Sequence, residues 1–420
     1  MHILWYTGVE LPAVTGKGLT RAGWQEGLRR ALHQYYPQLK LSIASFGTRT
    51  YQPIQSENAT YYNIYREPQS GNRWTRLLEN WRHRVFTEED LERSWEIYEA
   101  VQPDMVFIFG TENPFGLLAD RFSVPAAISI QAVLNGLVQK TFAGLRFLEL
   151  VEQLFSRTTL VGQGIYHKWW LRKRLARTER EIYERVRYFE GRTEWDRAWL
   201  ARLNPNARYF HIDRVLGEDY YRAEWSLEGS QENRIFSLCG NAPFKGGITL
   251  VRAAALLKRR GRPAIQLRLA GVDQDSMAGK YIQRNITRNG LEGQVELLGR
   301  LNTAQIIAEM RSARLFVLPS HMDNSPNSLA QAMILGMPCI ASNAGGIPSM
   351  LDAEVEGSLY PHQDITALAD RIESLLGDPG LSKNFGRSAR TAARLRHDPK
   401  TIARKTYSLY QEVLEAEGRA

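Results

Sequence analysis

Three short stretches of the 420-residue chain hold the residue types that bind anions or hydroxyl groups. The first is Gly240-Asn241-Ala242-Pro243-Phe244-Lys245-Gly246-Gly247, directly before a helical pattern over 248–258. A lysine, glycine amides and the positive end of a helix dipole in one place suit a diphosphate. The second runs Asp323-Asn324-Ser325-Pro326-Asn327-Ser328-Leu329-Ala330-Gln331, after an apolar run at 315–318. Its pattern predicts a strand, a polar loop, and a helix with Ser325 as cap, Pro326 in the first turn and Gly336 past the end. Leu329, Ala332 and Met333 share one face of that helix, so the other face, the loop and the amides from Asn324 to Ser328 are left to an anionic or hydroxyl-rich ligand. An ordinary capped helix of any α/β protein reads the same way. The third is Glu112 after an apolar run at 105–109, with Gln131 after another at 126–130. Residues just past the carboxyl ends of parallel strands line the crevice of an open sheet.

These stretches need strands and helices to position them, and the chain alternates the two throughout. Residues 3–6, 41–46, 105–109, 126–130 and 209–212 read as strands in the first half; 235–239, 265–270, 295–298, 315–318 and 339–341 do so in the second. That alternation predicts parallel sheets covered on both faces. Single cores rarely grow past roughly 250 to 300 residues, so two domains are expected. All ten tryptophans lie at or before Trp225, which sets the halves apart and places the boundary after Asp213. After the first strand comes a loop with Gly8, Gly16, Gly18 and Gly23, then Trp24. It is neither a dinucleotide fingerprint nor a P-loop, since Arg21 and Gly18 stand where those need Gly and Ser or Thr. Its glycines admit a ligand close to backbone, or make a plain surface loop.

The apolar fraction of 43% and charged fraction of 24% are those of a globular protein. Net charge +9 points to an acidic partner. The most basic stretch, from Tyr166 to Arg180 (YHKWWLRKRLARTER), pairs Trp169 and Trp170 with five cations up to Arg177. It reads as a solvated helix, as an interfacial helix on anionic lipid, or as an RNA contact. No zinc spacing, RNA-binding module or helix-turn-helix accompanies it, so nucleic acid is not the expected partner. Two cysteines, Cys239 and Cys339, sit in apolar runs, and residues 1–6 lack a signal-peptide pattern. A cytoplasmic protein, peripheral on the inner membrane face if the basic helix docks there, is the expectation. No metal-ligand cluster is visible, and His211, His321 and His362 read as surface or capping residues.

The loop and helix after 315–318 resemble the signature of the family-four GT-B glycosyltransferases (glycosyl transferases group 1), two acids separated by seven residues. Asp323 stands at the first acidic position and Gln331 at the second. The stretch Lys245-Gly246 matches the family's Lys-Gly, with Asn241 in place of its arginine. Phe-Gly-Thr-Glu at 109–112, Ser-Ile-Gln at 129–131 and Gly-Arg-Thr-Glu-Trp-Asp at 191–196 look like a subgroup of bacterial capsular and exopolysaccharide synthesis. For Glu194 and Asp196 a helix-capping role is expected.

The resemblance implies an α/β GT-B fold: two doubly wound Rossmann-like domains facing across a cleft, with a C-terminal helix crossing back. Residues 1–213 would bind acceptor, 214–395 the nucleotide sugar, and 396–420 would return to the first domain. It implies a retaining hexosyltransferase moving sugar from a nucleotide diphosphate to a glycan or lipid-linked acceptor. Asp323, Lys245 and Glu112 would be catalytic. Gly16, Gly18, Gly240, Asn241, Gly299, Arg300, Asn324, Ser325, Asn327, Ser328, Leu329 and Gln331 would join Lys245 in donor binding. Gly23, Trp24 and Gln131 would join Glu112 on the acceptor. No metal or other cofactor is expected. The alternative is a non-catalytic protein on the same scaffold, binding a nucleotide sugar or a partner.

Overall fold

The computed structural model describes residues 1–10, 23–48, 52–66 and 86–419. By packing, the chain divides into two units: Met1–Val138 with Val151–Val215 and His397–Ala420, and Gln139–Leu150 with Leu216–Arg396. Residues 139–150, assigned by the sequence to the first domain, thus pack with the second unit. Their contacts are long-range in sequence, which local pattern does not encode.

The first unit holds an eight-stranded sheet: β1 His2–Thr7, β2 Lys40–Gly47, β3 Ile54–Ser56, β4 Ala59–Tyr65, β5 Met105–Phe109, β6 Ala126–Ser129, β7 Tyr188–Gly191 and β8 Arg208–His211. Their order is β3-β4-β2-β1-β5-β6-β7-β8. Only β3 runs antiparallel to its neighbour, at the edge. Period-two alternation divides the core between the two faces. Ile3, Trp5, Ile43 and Phe107 pack with the helices Gly23–Tyr35 and Pro399–Ala416 on one face. Leu4, Tyr6, Val106 and Ile128 pack on the other with Tyr98, Ile182 and Leu200. The last helix is stitched in by Trp5, whose indole N–H donates to Tyr410 Oη at 3.1 Å.

The second unit holds β9 Gln231–Leu238, β10 Gln266–Ala270, β11 Val295–Gly299, β12 Ala313–Leu318, β13 Cys339–Asn343 and β14 Ser358–Pro361. All are parallel, in the order β11-β10-β9-β12-β13-β14. This is the doubly wound order, which reverses direction between β9 and β12; ligands of such sheets bind past the strand ends at that reversal. Ile235, Leu267 and Val317 face a core with the helix Gly247–Arg259, while Phe236, Phe316 and Cys339 face the helix Asn327–Leu335. Both cysteines are buried and free, and burial pushes the Cys239 thiol up to about 11. Among the described residues no helix is long and apolar enough to cross a membrane.

Candidate functional site

In the second unit, the loops after β9 and β12 meet at the reversal point. The β9 loop forms a single 3-10 turn, Pro243–Lys245, and enters the helix Gly247–Arg259 through Gly246 at φ +78°. A Cβ there would sit 1.8 Å from the Pro319 carbonyl oxygen, so only glycine lets the two loops touch. That approach carries Lys245 to Asp323: Nζ donates to Oδ2 at 2.6 Å, with the side chains 33% and 17% exposed. Ser320 Oγ donates to the same carboxylate oxygen at 3.3 Å. The Asp323 carbonyl accepts from the Gly346 N–H at 2.9 Å, which fixes the loop from the β13 side.

The helix after β12 starts later than expected. Pro326, extended at ψ 115°, is the cap residue, so Ser325 is not the cap and Pro326 is not in the first turn. The helix Asn327–Leu335 is also more deeply buried than one face requires, with Ala330, Ile334 and Leu335 joining Leu329, Ala332 and Met333. What remains half-exposed on it is Asn327, Ser328 and Gln331, spaced to share one face. Leu329 lies in the core, and its N–H donates to the Pro326 carbonyl at 3.1 Å. Asn324 is buried and Ser325 half-buried.

Asn241 is engaged with Asp273: its side-chain N–H donates to the carboxylate, and its Oδ1 accepts from the Asp273 N–H at 2.8 Å. Gly240 lies against the Lys245 stem, at 3.6 Å from a Cβ position to Cγ. The Gly299 carbonyl accepts from the Gly271 N–H at 2.6 Å, and Arg300 is exposed.

His321 corrects the sequence reading outright, because it is fully buried. Its Nε2 hydrogen-bonds Thr249 Oγ1 at 2.9 Å, and its N–H donates to the Phe244 carbonyl at 2.6 Å. Burial first, then the charges of His362, Lys140 and Arg252, push its pKa down to about 4, so it is neutral at pH 7. The segment 139–150 closes over this place. Arg252 holds Glu149 through two bonds of 2.8 and 3.0 Å and donates to the Gly144 carbonyl at 3.1 Å, while Lys140 Nζ lies 3.1 Å from His362 Nε2.

In the first unit the strand order reverses between β1 and β5, and Glu112 follows β5 there. Gly110, at φ +86°, gives its Cβ space to this carboxylate: a Cβ would stand 2.0 Å from Glu112 Oε2 and 3.0 Å from Gln131 Cγ. Burial pushes the Glu112 carboxyl up to about 7; its own backbone N–H opposes the shift, the Glu179 charge adds to it, and Arg214 and Arg192 oppose it. Gln131 donates to the Ser129 hydroxyl at 2.9 Å and accepts from Arg214. Gly23 opens the helix that carries Trp24, whose ring stands edge-on to Phe109 at 5.4 Å and lies under the Arg214 guanidinium at 4.4 Å. Gly16 and Gly18 lie outside the described residues.

Sequence reasoning missed the buried charges behind this cluster. The fully buried Arg192 donates to Ser129 Oγ at 2.9 Å, to the Ile130 carbonyl and to Glu190 at 3.4 Å. Burial raises Glu190 to about 6, against the pull of Arg192, Ser129 and Arg214. Glu179 accepts from the amides of Leu134 and Asn135 and from Thr111 Oγ1, at 2.7 to 2.9 Å. Nothing in the sequence sets Glu179 apart from Glu181 and Glu184 on the same helix. Thr193 and Asp196 form a capping box on the helix Glu194–Leu203, and Glu194 sits in its first turn. Among the described residues no three His, Cys, Asp or Glu side chains gather as a metal-ligand set would.

Residues 226–392 match the family model for glycosyl transferases group 1. A D-inositol 3-phosphate glycosyltransferase of Streptomyces avermitilis is 26% identical over 254 residues, covering 58% of this chain and 53% of that one. The chain therefore spans about half the length of the curated relatives it matches. Among solved structures, sucrose-phosphate synthase from Thermosynechococcus elongatus aligns with TM-score 0.74 at 18% identity, over 99% of both chains. Anabaena Alr3699/HepE in complex with UDP and glucose aligns with TM-score 0.66 at 14% identity, over 97% of this chain and 99% of that one. Over residues 226–392 the chain thus carries the glycosyl transferases group 1 match, on two α/β units with the fold of the GT-B glycosyltransferases.

Proposed function

We propose that the protein is a retaining glycosyltransferase that moves a sugar from a nucleotide diphosphate to a glycan or lipid-linked acceptor in surface-polysaccharide synthesis. The observation that carries this reading is the Lys245–Asp323 pair at the sheet reversal, beside the start of the helix Asn327–Leu335. Lys245 and the helix dipole face the charge that grows on the departing diphosphate, and fixed charges of that kind give the largest catalytic effect in many enzymes. Asp323 orients the sugar hydroxyls, Gln331 hydrogen-bonds the ribose, and the backbone at Gly299 and Arg300 meets the base. With retention, the leaving phosphate oxygen takes the acceptor proton, so no protein base is required. On the first unit, Trp24, Glu112 and Gln131 receive the acceptor. A Glu112 raised to about 7 is half protonated near neutrality and can donate a hydrogen bond to an acceptor oxygen.

A second reading, a binding protein without turnover, draws on Asn241, whose amide is spent on Asp273 where the family has an arginine. Incubation with UDP-, GDP- and ADP-sugars and a lipid extract as acceptor separates the two. Release of a nucleotide diphosphate, with an α-linked product from an α-linked donor by proton NMR, supports the transferase. Saturable binding with no release under any acceptor supports the second reading. HepE has also been solved in complex with UDP-glucose, which makes that sugar nucleotide the first donor to try.

A further inference from the structure

Six of the ten large apolar side chains left exposed among the described residues lie between Phe147 and Trp170. Within the first unit these are Leu154 at 47%, Phe155 at 80%, Leu160 at 67% and Trp170 at 44% exposure. The same stretch has a one-sided charge. The 26 residues from Gln153 to Thr178 contain Arg157, Lys168, Arg172, Lys173, Arg174 and Arg177 and no carboxylate. Soluble surfaces normally intersperse the two signs and do not cluster exposed apolar groups.

Hydrogen bonds tie these residues into one corner. The helix Phe147–Leu154 ends into the short helix Arg157–Leu160, capped by Ser156, and Thr159 Oγ1 donates to the Gln153 carbonyl at 2.7 Å. The Gln163 N–H donates to the Thr158 carbonyl at 2.8 Å and turns the chain into the helix Ile165–Arg185. That helix buries Ile165, Ala176, Ile182 and Tyr183. On its other side Trp170, Lys173, Arg174 and Arg177 recur at three- and four-residue spacing and are exposed. Lys173 Nζ stands 4.4 Å from the Trp169 ring centre, and the Arg174 guanidinium 5.0 Å from that of Trp170.

We propose that this surface, from Leu154 to Arg177, docks the protein on an anionic lipid bilayer. Phe155, Leu160 and Trp170 enter the boundary between headgroups and acyl chains, and Lys168, Lys173 and Arg177 meet lipid phosphates. A nucleic acid would use the cations and tryptophans but has no place for the exposed aliphatic Leu154 and Leu160. A second copy of this chain would bring two like-charged patches together. The inference stands apart from the proposed transfer reaction and does not rest on it.

The test is co-sedimentation of the full chain with vesicles of phosphatidylcholine alone and with about one third phosphatidylglycerol. The wild type is expected to partition at least about tenfold better into the anionic vesicles, and less so as salt shortens the Debye length. Phe155→Ser with Leu160→Ser, and separately Lys173→Glu with Arg177→Glu, should each lower that partition at least about tenfold. All four side chains are exposed, so the thermal midpoint is expected to stay put. Equal partition into both vesicle types, or variants that bind like wild type, would overturn the proposal. So would a wild type that ignores vesicles but shifts short RNA.

Discussion

At 2.6 Å the Lys245 ammonium and the Asp323 carboxylate neutralise each other, so a phosphate that takes Lys245 must compete with that carboxylate. Lys245→Ala and Asp323→Ala should therefore have different effects. Asp323→Ala removes the competitor: UDP should bind as well as to wild type or up to about tenfold tighter, while transfer falls at least about a hundredfold. Calorimetry with UDP beside a turnover assay checks both halves. Glu112 makes a second residue-level prediction. Its folded pKa of about 7 lies above the ordinary 4.5, so the folded state binds more protons than the unfolded chain between those values. Stability attributable to Glu112 is then lost as pH rises through that window. Glu112→Gln should gain thermal midpoint relative to wild type near about pH 8 and gain little near about pH 5. An equal shift at both pH values would contradict the raised pKa. Lys245 and Asp323 could be picked out by type and spacing because strand, polar loop and helix start are local patterns. The buried Arg192 and Glu190 could not, because their burial is set by three strands brought together from distant parts of the chain.

At the level of elements, the Lys245–Asp323 site depends on two loops touching at a point where the sheet order reverses, and the Glu112 cluster on the loops after β5 and β6 beside another such point. Gly246 is the closest such approach, and its left-handed backbone is a second constraint on the same position. Gly246→Ala is expected to cost more than about 2 kcal/mol in urea unfolding of the second unit, through strain and a clash with rigid backbone. The segment 139–150 has a comparable anchor in Arg252 and Glu149, at 9% and 13% exposure. Arg252→Ala leaves Glu149 with a charge and no cation, and should cost about 3 to 5 kcal/mol, while a double change to apolar residues costs less. Neither anchor was visible in sequence as such. The strands expected from apolar runs came within a few residues of those observed, whereas β3, β4, β7 and β14 were not expected from the sequence. The start of the helix Asn327–Leu335 was misplaced because Pro326, although suited to a first turn, stands extended just outside it.

For the whole molecule, two parallel sheets with apolar strands buried on both faces require helices on both sides, and the first unit draws one of its covering helices from the end of the chain. Leu409 and Val413 are fully buried there beside Trp5 and Phe107. Leu409→Ala should cost about 2 to 5 kcal/mol, the price of a cavity in a sealed core, read from the unfolding of the first unit. The fold class followed from alternation along the sequence; the packing of residues 139–150 with the second unit did not, since charge pairing across a hundred residues leaves no periodic trace.

Titrating UDP into wild type and Lys245→Ala asks whether the loops after β9 and β12 hold a nucleotide diphosphate. Binding to wild type is expected to saturate and to weaken by about 10- to 100-fold when the lysine is removed, the worth of a charge-assisted hydrogen bond. Equal binding to both proteins would contradict it.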